Sequence, residues 1–179
     1  MLKTEEVKEK GHERVIFLED KKIGLKGYLA IHDTSLGPAV GGCRMLEYDN
    51  PKLALKDALK LSRGMTYKNA AADLNYGGGK TVLMANDTGA HRESVFKDFG
   101  EILNELRGRY ITGVDAGTSL EDMKLLKKYT RYVSGVPSAR HQTGDPSMAT
   151  AYGVYMGMKA CINEVTGRSD FEGLKVAIQ

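Results

Sequence analysis

Short apolar runs alternate with segments of helical period along most of this chain, and that alternation restricts the fold more than any other feature. Residues 13–18 (ERVIFL) and 25–32 (LKGYLAIH) read as two strands joined by the turn Glu19 to Gly24, a hairpin. A loop from Asp33 to Arg44 carries Gly37, Pro38, Gly41 and Gly42. Asn50 before Pro51 suits an N-cap followed by proline at the first helical position, and Leu55, Ala58, Leu59, Ser62 and Met65 then share one helix face. KTVLMA (80–85) reads as a short buried strand after a glycine run. A helix with Val95, Phe99, Ile102, Leu103 and Leu106 at its core face stops at Gly108, and Tyr110 to Val114 is the next strand. Thr118 with Glu121 three residues on reads as a capping box for a helix with the stripe Leu120, Met123 and Leu126. Tyr132 to Val136 is a further strand, residues 137–145 a polar loop, and Ser147 to Val165 a long helix stopped by Gly167, whose Gly153 and Gly157 suggest close helix packing. LKVAIQ (174–179) has the character of a buried parallel strand. The sum is an α/β layered domain with a mostly parallel mixed sheet flanked by helices, the hairpin supplying antiparallel character at one side.

Composition removes several function classes. With 41% hydrophobic and 27% charged residues, the chain matches a folded soluble protein rather than a disordered or fibrous one. It has no run near the roughly 18 apolar residues of a membrane helix, and its start, MLKTEEVKEKGHERV, is too charged for a signal peptide, so a cytoplasmic protein with no membrane partner is expected. Lys and Arg exceed Asp and Glu by only 26 to 23 and are spread along the chain, which argues against nucleic acid. Cys43 and Cys161 lack metal-ligand spacing and read as two reduced, buried thiols, so no metal is expected. Gly 21 against Pro 4 points to tight turns and backbone lying close to a ligand.

The chemistry concentrates in GMTYKNAAADLNYGGGKT (64–81). Its GGGKT ending is no phosphate-binding loop, because that motif needs a glycine where Leu74 stands, and no G-x-G-x-x-G follows a strand. Two lysines remain, Lys68 and Lys80, each at an element boundary. An ammonium at the head of an apolar strand is partly desolvated, and a second ammonium nearby would lower its pKa further, so Lys80 suits a general base. Its neighbour would stay charged and clamp a carboxylate. Asp115 ends the strand YITGV at the carboxyl edge of the sheet, where it either caps the next helix or faces a ligand. Two lysines and an aspartate in one cleft suit proton transfers at a carbon bearing an amino group and a carboxylate.

These residues resemble the glutamate, leucine, phenylalanine and valine dehydrogenases, leucine dehydrogenase most of all. The similarity runs through AIHDTSLGPAVGGCRM (30–45), GMTYKNAAADLNYGGGKT (64–81), GRYITGVDAGT (108–118) and GDPSMATAYGVYMGMKA (144–160), in that order. It implies NAD-dependent oxidative deamination of an amino acid to a 2-oxo acid and ammonia. By position, Lys68 is similar to the lysine that binds the substrate carboxylate, Lys80 to the lysine that activates water, and Asp115 to the aspartate that moves a proton at the substrate nitrogen. Thr150 matches a threonine beside the nicotinamide, Gly41 and Gly42 match the loop beside the substrate, and Met65 and Gly113 fall at the substrate pocket. Glutamate dehydrogenases of the family carry a lysine just before the paired glycines. Here Val40 stands there, and an apolar wall cannot pair a buried carboxylate, so an apolar substrate is favoured. Gly113, where leucine dehydrogenases usually have alanine, and the triple glycine before Lys80, usually Gly-Gly-Ala, depart from the leucine pattern. Leucine leads, with phenylalanine, valine and tryptophan open.

The resemblance further implies a substrate-binding and catalytic domain over residues 1–172, with 173–179 as the first strand of a Rossmann-type cofactor domain that would bind most of the NAD. It implies a homo-oligomer acting on a small amino acid or 2-oxo acid. The competing expectation is a stand-alone amino-acid-binding or oligomerisation module without catalysis.

Overall fold

In a computed structural model, residues 1–86, 91–137 and 146–178 are described. The chain divides into two compact units, Met1–Gln142 and Thr143–Gln179. In the first, β1 (Lys3–Glu6), β2 (Arg14–Asp20), β3 (Leu25–Asp33), β4 (Ala39–Val40) and β5 (Cys43–Leu46) precede α1 (Pro51–Ala71). Then come β6 (Gly77–Met84), α2 (Arg92–Glu105), β7 (Tyr110–Ile111) and α3 (Leu120–Leu126), while the second unit holds α4 (Ser147–Thr166). The strands form one sheet in the order β1-β2-β3-β6-β4-β7, with β5 also on β6.

The α/β class and the mixed sheet flanked by helices match expectation, but the parallel share is smaller. β1–β2, β2–β3 and β3–β6 are antiparallel, and only β4 and β5 on β6, and β7 on β4, run parallel. The cause is connection length: β1, β2 and β3 follow one another through links too short for a crossover, so they must alternate in direction. β1 itself is a strand of exposed charged and polar residues, KTEE, with no apolar period to reveal it.

Alternation along the strands sends side chains to two cores. Ile16, Leu18, Leu29, Ile31 and Leu83 join Phe96, Phe99 and Leu103 of α2 and Met123 and Leu126 of α3. Val15, Tyr28, Ala30, Val82 and Met84 meet Ala54 and Ala58 of α1 on the other face. By the same parity Lys80 stands on the α1 side, between Gly78 and Val82. The Asn50 side chain accepts from the amides of Lys52 and Leu53, so α1 begins as expected.

β6 starts three residues earlier than expected, because the glycines belong to the strand. A Cβ on Gly78 would lie 2.2 Å from the Thr66 amide nitrogen, and one on Gly79 would lie 2.6 Å from the Tyr110 ring. Small residues on β6 thus let α1 lie directly on the sheet, and the Asn69 side chain fastens the helix end by donating to the Gly77 carbonyl at 2.7 Å.

Other expectations shift. The capping box is one residue later: Ser119 caps α3 and Asp122 returns the bond, while the Thr118 hydroxyl donates to the carbonyls of Cys43 and Asp115. The strand expected over 110–114 is regular only at Tyr110–Ile111 and continues as single bridges, Cys43 to Val114 and Thr112 to Val133, which also account for the strand expected over 132–136. Most of the polar loop 137–145 lies outside the described residues. Cys43 is buried but Cys161 is exposed, against the expectation of two buried thiols. α4 ends at Gly167 in the left-handed region (φ 71°) as expected, yet none of its residues is buried, and the packing expected at Gly153 and Gly157 is not seen among the described residues. Residues 174–178 are not a strand, since a strand exists only as part of a ladder and the described part of this unit holds no other.

Candidate active site

The parallel half of the sheet is interrupted in one place. Val40 pairs with Gly78 and Cys43 pairs with Thr81, so Gly41 and Gly42 lie opposite Gly79 and Lys80 without regular pairing. Side chains are excluded there: a Cβ on Gly41 would meet the Gly79 carbonyl oxygen at 1.8 Å, and one on Gly42 would meet the Asp115 Cβ at 2.7 Å. Tyr110, fully buried, donates from its hydroxyl to the Gly41 carbonyl at 2.8 Å and holds the break from below. Burial also pushes the Tyr110 hydroxyl well above its ordinary pKa, so it stays a donor.

At this break the structure joins Lys80 to Asp115. Lys80 Nζ donates to Asp115 Oδ2 at 2.6 Å, and the residue is only 4% exposed. Asp115 is delivered by the turn after Val114, where its amide donates to the Thr118 hydroxyl at 3.0 Å. Asp115 does not cap α3, which starts from Ser119; its backbone belongs to the turn before that helix, and its carboxylate faces the lysine.

Three residues of the site, Arg44, Asp57 and Tyr48, escaped the sequence reading. Arg44 Nε donates to the same Asp115 Oδ2 at 3.1 Å, and its Nη1 donates to Asp57 Oδ2 at 3.2 Å. The Tyr48 hydroxyl donates to that Asp57 oxygen at 2.9 Å. Arg44 stood in a presumed loop and Asp57 on a helix face with no periodic signal. Only the odd spacing of a lone arginine after Gly41, Gly42 and Cys43 hints at a built position.

Charge and burial set the protonation states. Burial holds the Lys80 ammonium below its ordinary pKa; Asp115 opposes this, and the Arg44 charge adds to the lowering. The second cation acting on Lys80 is thus Arg44, where the sequence suggested Lys68. Burial alone would raise Asp115, but Lys80 and then Arg44 outweigh it and hold the carboxyl below the usual range. Burial likewise works against the Arg44 cation and is outweighed by Asp115. Burial pushes the neighbouring Cys43 thiol far up, which keeps it neutral.

The remaining sequence candidates fall into four places. Val40 lies at the edge of the break and Met65 beside it, its Cγ 3.2 Å from where a Gly41 Cβ would stand. Lys68 is exposed in the last turn of α1, over the start of β6. Gly113 accepts the Cys43 amide at 2.8 Å and faces Ser134, whose Oγ would lie 2.9 Å from a Gly113 Cβ. Thr150 is exposed on α4 in the second unit, its amide bonded to the Pro146 carbonyl. Among the described residues no group of His, Cys, Asp and Glu could hold a metal ion.

The break defines an α/β domain that presents a buried lysine paired with a carboxylate where the parallel ladder is interrupted. The family described as Glu/Leu/Phe/Val dehydrogenase, dimerisation domain, matches residues 12–132, and the chain belongs to it. Leucine dehydrogenase of Geobacillus stearothermophilus is 51% identical over 94% of this chain and 46% of its own length. L-tryptophan dehydrogenase of Nostoc punctiforme is 42% identical over 100% of this chain and 50% of its own. The crystal structure of that tryptophan enzyme superposes with a TM-score of 0.67 at 39% identity, over 91% of this chain and 45% of that one. The chain spans about half the length of the curated relatives it matches.

Proposed function

We propose that this chain forms the substrate-binding and proton-transfer part of an amino acid dehydrogenase that oxidatively deaminates an apolar L-amino acid, leucine first, to its 2-oxo acid and ammonia. The observation that carries the reading is the buried Lys80 bonded to Asp115 at the glycine break. Its acid-base character is what such chemistry needs, and its neighbours are small enough for a substrate's backbone-like end to approach.

In this reading the Lys68 ammonium, exposed in the last turn of α1, pairs with the substrate carboxylate. Lys80, less basic than an ordinary lysine, takes a proton from the water that attacks the imino carbon. Asp115 carries protons to and from the substrate nitrogen. Val40 and Met65 bound the side-chain pocket with apolar groups, Gly113 holds the strand after the break by accepting the Cys43 amide, and Gly41 and Gly42 let the substrate lie against backbone.

None of these groups accepts a hydride, and NAD is the acceptor we assign. The described residues do not form a dinucleotide site: Thr150 offers one hydroxyl to a nicotinamide, and no glycine-rich phosphate cradle accompanies it. The cofactor would be held mainly by sequence outside these 179 residues, as the length of the relatives allows. The matched dimerisation domain supports a homo-oligomer. No helix among the described residues is long and apolar enough to cross a membrane.

The test is a chimera in which this chain replaces the matching half of Geobacillus stearothermophilus leucine dehydrogenase, assayed with NAD against leucine, valine, phenylalanine, tryptophan and glutamate. Turnover of the apolar amino acids with glutamate poor is expected. A folded, cofactor-binding chimera that turns over none of them would refute catalysis and leave a binding module.

A further inference from the structure

We propose that Arg44 is a positioning residue for this site: it pins Oδ2 of Asp115 beside Lys80 and leaves Oδ1 as the carboxylate's free acceptor. The inference rests on the proton-transfer roles assigned above to Lys80 and Asp115. Its basis is that two cations converge on one oxygen. Lys80 Nζ and Arg44 Nε both bond Oδ2, at 2.6 and 3.1 Å, while no described residue bonds Oδ1. Arg44 is itself fixed from behind, since Asp57 Oδ2 accepts its Nη1 and is held by the Tyr48 hydroxyl. Burial first and Asp57 second push that hydroxyl up to about 12, so it remains a donor through the working range.

The arrangement decides what happens when Lys80 gives up its proton. With Lys80 as the sole partner, the neutral amine would leave a half-buried carboxylate without a counter-charge, and that penalty would hold the proton on the lysine. Arg44, always charged, remains bonded to Asp115 and keeps the carboxylate compensated in both states of Lys80. It also repels the ammonium form. Both effects favour the neutral amine that a general base must supply. The groups that bear on Lys80 are Asp115, Arg44 and the thiol of Cys43, with Asp57 and Tyr48 facing Arg44 from α1 and the segment before it. Asp57 holds the outer end of the guanidinium in place and partly offsets its charge.

The test is NMR titration of the Lys80 side chain in the 179-residue protein, following the Cε signal assigned with Lys80→Arg. In the parent protein the midpoint lies below that of an ordinary lysine. Arg44→Gln raises it by about one pH unit, a tenfold fall in the neutral fraction at a given pH, and Arg44→Lys stays near the parent value. Arg44→Met, which keeps the length of the stem, serves where glutamine does not fold. An unchanged Lys80 midpoint in either neutral variant would overturn the proposal, as would a rise in Arg44→Lys equal to that in the neutral variants, which would show packing rather than charge at work. Since the readout needs no turnover, failure of the dehydrogenase reading appears separately, as an inactive chimera with a normal Lys80 titration.

Discussion

Asp115 has two cationic partners and Lys80 has one anionic partner, so the two halves of the pair should differ sharply in what their removal does to stability. In Asp115→Asn the ammonium of Lys80, whose side chain is 6% exposed, keeps its charge beside that of Arg44 with no carboxylate between them. Both cations touch the same oxygen and so lie within about 6 Å of each other, where two like charges repel by roughly 3 kcal/mol at an effective dielectric near 20. Breaking a buried pair from one side costs about 3–5 kcal/mol in general. Asp57 on the far end of Arg44 and partial solvent access reduce this, and we expect a loss of about 2–3 kcal/mol. Lys80→Met instead removes the deeply buried charge, leaves Asp115 paired with Arg44, and fills the space with an apolar stem of similar length. Its expected cost is about 1 kcal/mol or less. Urea unfolding of the 179-residue protein at pH 7 reads both, provided the m-value is unchanged. If Lys80→Met destabilises as much as Asp115→Asn, Arg44 is not sharing the carboxylate and the account of the site is wrong.

The lowered Lys80 pKa also fixes the sign of a pH effect. Between the folded midpoint and the ordinary lysine value near 10.4 the unfolded chain binds more protons, so stability should rise with pH across that interval. Lys80→Met should lose that rise, and an identical pH dependence in the two proteins would contradict the buried ammonium. Tyr110→Phe keeps the ring but leaves the Gly41 carbonyl without the hydroxyl, and urea unfolding should show a loss of about 1–3 kcal/mol; a loss below about 0.5 kcal/mol would mean water replaces the bond. Gly41→Ala would set a methyl against the Gly79 carbonyl and should destabilise by about 1–3 kcal/mol or prevent folding, so a fold as stable as the parent would refute the close approach of the two strands. In the chimera, Val40→Lys should move the kcat/KM ratio toward glutamate, and an unchanged ratio would remove Val40 from the pocket wall.

Much of this architecture was legible because local signals agree with tertiary ones. The β2–β3 hairpin, the Asn50 cap of α1 and the Gly167 stop of α4 each rest on short-range chemistry that the fold retains. Lys80 was visible as a charge at the head of an apolar run, and Asp115 as a carboxylate at a strand end. What stayed hidden depends on partners far away in sequence. β1 is polar throughout and becomes a strand only against β2. The glycines of β6 read as a run ahead of the strand, yet they are strand residues because α1 and Tyr110 occupy the space of their side chains. Arg44 gains its role from Asp115, 71 residues away, a distance no local pattern spans. Residues 174–178 show the reverse case, since strand-like composition forms no strand there and no ladder partner is described.

The central claim is that Lys80 is the base at a site built for oxidising an amino acid. Its most direct test is NAD reduction with L-leucine by the chimera, comparing the parent with Lys80→Ala. The account predicts that kcat falls by about 10²- to 10⁴-fold while the variant still binds leucine through Lys68. Near-normal turnover in Lys80→Ala would contradict it.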